Sequence, residues 1–156
     1  MASISHTEWL EATVASATEL AKTSLGFTTS RVVGKWDKLP NDMAGSWVAL
    51  VGQGAAVQVG IASSLDGCYA LARAFLRMGD GDEIAEDDVV DALGEMANVI
   101  AGGVKRRMAK LDSSTRLGLP IVVRGRVELG DRLAPAVAEV TMGKIVAHLI
   151  VLCERG

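Results

Sequence analysis

A chain of 156 residues, 49% of them hydrophobic but only six aromatic, has material for one core of Ala, Val, Leu and Ile, since about 150 residues bury close to 70% of their extended surface. Its formal charge of -3 supplies no field for nucleic acid or an anionic membrane, so neither is an expected partner. The first residues carry Glu8, Glu11 and Glu19 where a signal peptide needs an unbroken apolar run, and no uncharged stretch reaches the roughly 18 residues of a membrane span. The expectation is a soluble, cytoplasmic protein with residues 1–156 as a single domain.

In chain order, Glu8 to Leu25 reads as an amphipathic helix with Trp9, Thr13, Ala17 and Leu20 inward and Gly26 as its stop. Strands are predicted over Phe27 to Val33, Ser46 to Val51 and Ala55 to Ala62, with a hairpin at Gly52-Gln53-Gly54. Ser63 and Ser64 offer an N-cap to a helix from Leu65 to Met78, ended by Gly79-Asp80-Gly81-Asp82. A long helix from Ala85 to Asp112 follows, opened by Glu86, Asp87 and Asp88 and closed by Lys105, Arg106, Arg107 and Lys110, charges that suit the helix dipole at both ends. Three more strands, Leu119 to Val127, Ala136 to Met142 and Ile145 to Leu152, turn at Gly130-Asp131 and at Gly143. A helix followed by three strands thus occurs twice, which predicts an α+β fold: a pseudo-symmetric sheet layered with long helices.

The Ala85 to Asp112 helix carries two stripes. At about 100° per residue, Val89, Leu93, Met96, Ile100, Val104, Met108 and Leu111 share the core side. Asp91, Glu95, Asn98, Gly102 and Lys105 lie roughly opposite. Gly102 and Gly103 each cost a helix interior about 1 kcal/mol relative to Ala, so something wants their missing side chains, either a packed neighbour helix or a docking partner. On periodicity alone the polar row is the solvated face of an amphipathic helix, and the basic residues at its end need no role beyond the dipole.

Other chemistry finds little support. His6 and His148 are too isolated for a metal cage, and His148 reads as a surface or edge residue. Val51-Gly52-Gln53-Gly54 lacks the Lys-Ser/Thr of a phosphate-binding loop, and no serine sits in a nucleophile elbow. Cys68 and Cys153 read as reduced, buried thiols, and Met43, Met78, Met96, Met108 and Met142 as core fillers.

The run Asp-Ala-Leu-Gly-Glu-Met-Ala-Asn from Asp91 to Asn98, the Gly102-Gly103 step and the Pro120-led strand together carry a resemblance. The pattern is similar to the CheX/CheC/FliY family of bacterial chemotaxis phosphatases, whose signature is Asp or Ser, three residues, Glu, two residues, Asn, and a later Pro. Asp91, Glu95, Asn98 and Pro120 fill it. Asparagine occurs only at Asn41 and Asn98, so the first helix cannot present a second Glu-x-x-Asn pair, and the chain resembles single-site CheX more than two-site CheC.

The resemblance implies a helix-on-sheet sandwich with the site helix at the surface and a homodimer joined through sheet edges. It implies a protein substrate: the aspartyl phosphate of a CheY-like response-regulator receiver domain, with Mg²⁺ on that receiver and no cofactor on this chain. Asn98 would orient the attacking water and Glu95 would pair with the receiver's lysine, with Asp91, Gly102 and Lys105 binding the partner and Pro120 shaping the surroundings. The competing implication is a non-catalytic scaffold of the kind found in the flagellar switch protein FliM.

Overall fold

The computed structural model describes residues 4–53 and 56–155. Three helices, α1 (His6–Thr23), α2 (Leu65–Phe75) and α3 (Glu86–Met108), accompany six strands: β1 (Ser30–Trp36), β2 (Met43–Val51), β3 (Ala56–Ser63), β4 (Arg116–Gly125), β5 (Leu133–Met142) and β6 (Ile145–Glu154). The expected α+β architecture is present. All six strands join one antiparallel sheet in the order β1-β5-β6-β3-β2-β4. Renumbering the first three strands as the last three, and the reverse, returns this order read backwards. The helix-plus-three-strands repeat therefore becomes a pseudo-two-fold about the β3–β6 pair.

Each half gives its first strand away. β1 pairs with β5 of the second half, and β4 pairs with β2 of the first. The four inner strands are mostly buried, whereas the two edge strands, β1 and β4, are largely exposed although β4 is apolar from Leu117 to Val123. Helices α1 and α3 pack side by side on one face, α1 above β5 and β6, α3 above β2, β3 and β4, with α2 against α3. Val48, Leu50, Val59, Ile61, Leu149 and Val151 meet them from the sheet. On the other face Met43, Trp47, Ala62, Val137, Ile150 and Leu152 form a smaller cluster, roofed by Leu39, Val127 and Leu129 from loops rather than by a helix.

Element ends differ from the sequence expectation in instructive ways. α1 begins at His6 because Ser5 and Glu8 form a reciprocal capping box, which satisfies two otherwise orphaned backbone donors. β1 starts at Ser30 rather than Phe27, since Gly26 at φ +71 is followed by Phe27 folding back to donate to the Ala21 carbonyl. α2 stops at Phe75, short of Met78, where Arg77 takes a left-handed φ of 58; Met78 is only half-buried. β4 runs from Arg116 to Gly125, three residues earlier than expected at its start, and β5 begins at Leu133. The expected hairpin joins β2 to β3, but Gly54 of its turn and Ala55 of its predicted strand lie outside the described residues.

Two further readings are corrected. α3 ends at Met108, so Leu111 lies past the helix and is 55% exposed, while the rest of its stripe is buried. His148 is not at an edge: it sits on β6, between β5 and β3, half-buried with Nε2 3.2 Å from Glu139 Oε1. Cys68 and Cys153 are free and buried, and burial pushes both thiols up to about 11. Both are therefore protonated near neutrality, and a thiol-reactive dye at pH 7.5 is expected to label neither until denaturant opens the fold. Fast labelling of the native protein would contradict the packing described. No helix among the described residues is long and apolar enough to cross a membrane.

Candidate functional site

α3 is held on three sides. Val89, Leu93, Met96, Ile100 and Val104 anchor it to the sheet. On one flank Gly103 faces α1, where an added Cβ would stand 2.7 Å from Ser16 Oγ and 2.9 Å from Ser16 Cβ. Arg107 ties the same crossing, donating to Ser16 Oγ at 3.0 Å and to Glu19 Oε2 at 2.7 Å; that hydrogen bond, followed by the charge of the guanidinium, lowers the Glu19 pKa. On the opposite flank Gly94 faces β4 at Pro120, and Arg124 of β4 reaches Glu86 at 3.4 Å. Ala85 provides no side-chain cap, so Glu86, Asp87 and Asp88 in the first turn are what complement the helix's positive end.

The fourth side is open and carries the predicted residues. Asp91 and Glu95 are exposed, and Asn98 is half-buried. Positions three and four apart on a helix are neighbours about 5–6 Å apart, so these three form one short row. Among the described residues no hydrogen bond or ion pair engages any of their side chains. An acid and an amide, held on a helix buried along its back yet unspent on internal contacts, are free to meet a group brought from outside.

The structure separates the two glycines of the central pair. Gly103 is needed by the α1 crossing, whereas a Cβ on Gly102 would meet nothing nearer than Arg106 Nη1 at 3.9 Å. Gly102, one turn beyond Asn98, stays with the open row. Lys105 is exposed but seven residues from Asn98, about 10 Å along the axis at 1.5 Å per residue. It flanks the row rather than joining it.

Sequence reading missed the groove that borders this row. Val90, Asp91, Gly94, Glu95, Pro120 and Val122 enclose about 400 Å³ between α3 and β4. A third mid-helix glycine, Gly94, was its available signal. No three His, Cys, Asp or Glu side chains gather as a metal-holding group among the described residues.

Fold and site together define a class: a pseudo-symmetric antiparallel sheet backed by two long helices, one presenting an acid and an amide three residues apart. The family model described as chemotaxis phosphatase CheX matches residues 45–131, more than half of the chain. The chain belongs to the CheX family. Its fold is similar to that of a chemotaxis protein CheX from Desulfovibrio desulfuricans, at a TM-score of 0.77 and 17% identity over 94% of this chain and 99% of that one. It is also similar to CheX of Borrelia burgdorferi, solved as a complex with CheY, BeF3 and Mg²⁺, at 0.70 and 13% identity over 95% and 98% of the two chains. The middle domain of Helicobacter pylori FliM shares the fold at 0.63 and 9% identity over 97% and 93%. No curated protein matches the sequence.

Proposed function

We propose that this CheX-family protein is a phosphatase that hydrolyses the aspartyl phosphate of a CheY-like response-regulator receiver domain. The observation that carries the reading is the pair Glu95 and Asn98, one turn apart on the open side of a helix anchored on its other sides, with neither side chain engaged among the described residues. Hydrolysis of such a phosphate passes through a loose transition state, so catalysis consists mainly of holding a water in line with phosphorus while charge is neutralised. The receiver brings that charge control as its own Mg²⁺. This chain brings position.

Asn98 orients the water. Its amide can accept a hydrogen bond from the water and donate one to a phosphoryl oxygen at once, and being neutral it does not repel the phosphoryl group as a carboxylate would. Glu95 pairs with the receiver's lysine and fixes the angle at which Asn98 enters. Asp91 and Gly102 line the approach, and Lys105 contacts the partner at the margin. The complex of the B. burgdorferi relative with CheY supports the choice of partner. The exposed apolar residues on the two edge strands, Val32 and Val33 on β1 and Leu117 and Leu119 on β4, support a homodimer joined through sheet edges. The reaction is assigned to the cytoplasm, where response regulators act.

The test is phosphate release from a phosphorylated CheY-like receiver with Mg²⁺ present. Release accelerated by substoichiometric protein is the expected result. Stoichiometric binding without acceleration would instead establish the scaffold role, for which the shared fold of the FliM domain leaves room.

A further inference from the structure

We infer that the groove between α3 and β4 is a second anchoring point, taking one lysine or arginine side chain of the receiver other than the one that meets Glu95. The inference rests on the phosphatase reading for its partner but not for its geometry. Three separate observations carry it: the shape of the groove, its charge, and a glycine the fold does not require.

The groove holds about 400 Å³, and its walls are Val90, Pro120 and Val122. Val90 and Val122 remain 37% and 42% exposed, so part of the apolar lining is left uncovered. An extended aliphatic stem fits such a lining. The rim is acidic: Asp91 and Glu95 line the same groove, and Asp87 and Asp88 stand one turn before Asp91 on the helix. Arg124, on the same strand as Pro120 and Val122, is directed to Glu86. Apolar walls beneath an uncompensated carboxylate complement a side chain that lays its methylenes on a surface and keeps its charged head at the edge. With Glu95 committed to one cation, Asp91 is left for another.

Gly94 supplies the third observation. A methyl group there would stand 3.6 Å from Pro120 Cγ and 3.8 Å from Pro120 Cβ, ordinary contact distances. Alanine would therefore fit the fold and favour the helix, yet the chain keeps glycine at the floor of the groove. The missing methyl deepens the space available to a visitor.

Steady-state phosphate release from a CheY-like receiver phosphorylated with acetyl phosphate tests the assignment, using wild type, Asp91→Lys, Gly94→Ala and Gly94→Leu. Asp91→Lys is expected to raise KM about tenfold and flatten its salt dependence, as for a charge at the margin of an interface, while kcat moves by less than about twofold. Gly94→Leu fills the groove and should raise KM in the same way. Gly94→Ala keeps the fold at least as stable by thermal melting and should show a smaller rise. Replacing the receiver's basic residues one at a time with Glu should identify one variant that restores KM with Asp91→Lys. Unchanged KM in Asp91→Lys and both Gly94 variants overturns the inference and leaves the phosphatase reading standing. Absence of phosphate release by wild type, with binding to the beryllofluoride-loaded receiver still weakened by Asp91→Lys, overturns the phosphatase reading and leaves the groove in place.

Discussion

Asn98→Ala is expected to slow receiver dephosphorylation by about a hundredfold or more, the scale on which removal of one positioning donor acts, with no loss of fold. The side chain is half-buried and makes no hydrogen bond among the described residues, so its truncation leaves no orphaned partner inside the protein, and the stability change should stay within about 0.5 kcal/mol. Asn98→Asp should be equally inactive although it keeps the size of the side chain, because a second negative charge then faces the phosphoryl oxygens. Circular dichroism and thermal melting separate this result from unfolding. Full activity in either variant would remove Asn98 from the mechanism.

The neighbouring glycines should answer in opposite directions. Gly103→Val forces side-chain atoms to within 3 Å of Ser16, so α1 and α3 must part or Ser16 must give up its position beside Arg107. Overpacking of this kind costs about 1–3 kcal/mol, with the loss of helix-to-sheet packing along α1 adding to it. Gly102→Ala meets open space and should gain up to about 1 kcal/mol of helix propensity. Denaturant midpoints of the two variants, measured against wild type, should fall on either side of it. If both are destabilised alike, the α1–α3 crossing is not where the glycine requirement lies.

Much of this was legible in the residues because periodicity reports burial. Val89 to Met108 repeat at the helical spacing, and that spacing is what puts them beneath α3 while Asp91, Glu95 and Asn98 look outward. The Ser5–Glu8 capping box was also there to be read at its three-residue spacing, and it sets the true start of α1. The failures are tertiary. Leu111 keeps the helical rhythm but falls in the turn after α3 ends at Met108, where it is exposed. His148 alternates with apolar neighbours as an edge residue would, and only strand order reveals that β3 and β5 flank it. Periodicity put Gly102 on the polar row and left Gly103 off it, but what Gly103 faces is set by Ser16, 87 positions upstream. The groove at Gly94 needs Pro120 and Val122 brought over from β4, a contact between elements that the sequence names separately.

The exchange of outer strands bears on how the molecule assembles. Since β1 completes the second half of the sheet and β4 the first, neither half can satisfy its edge until both are present. Contacts of such long sequence separation slow folding, because loop-closure entropy is spent before they form. The strand that carries Pro120 is one of the two exchanged. The groove beside Glu95 is thus absent from any fragment that ends before β4 and from any intermediate in which β4 has not yet docked, so this surface exists only once the two halves of the sheet have joined.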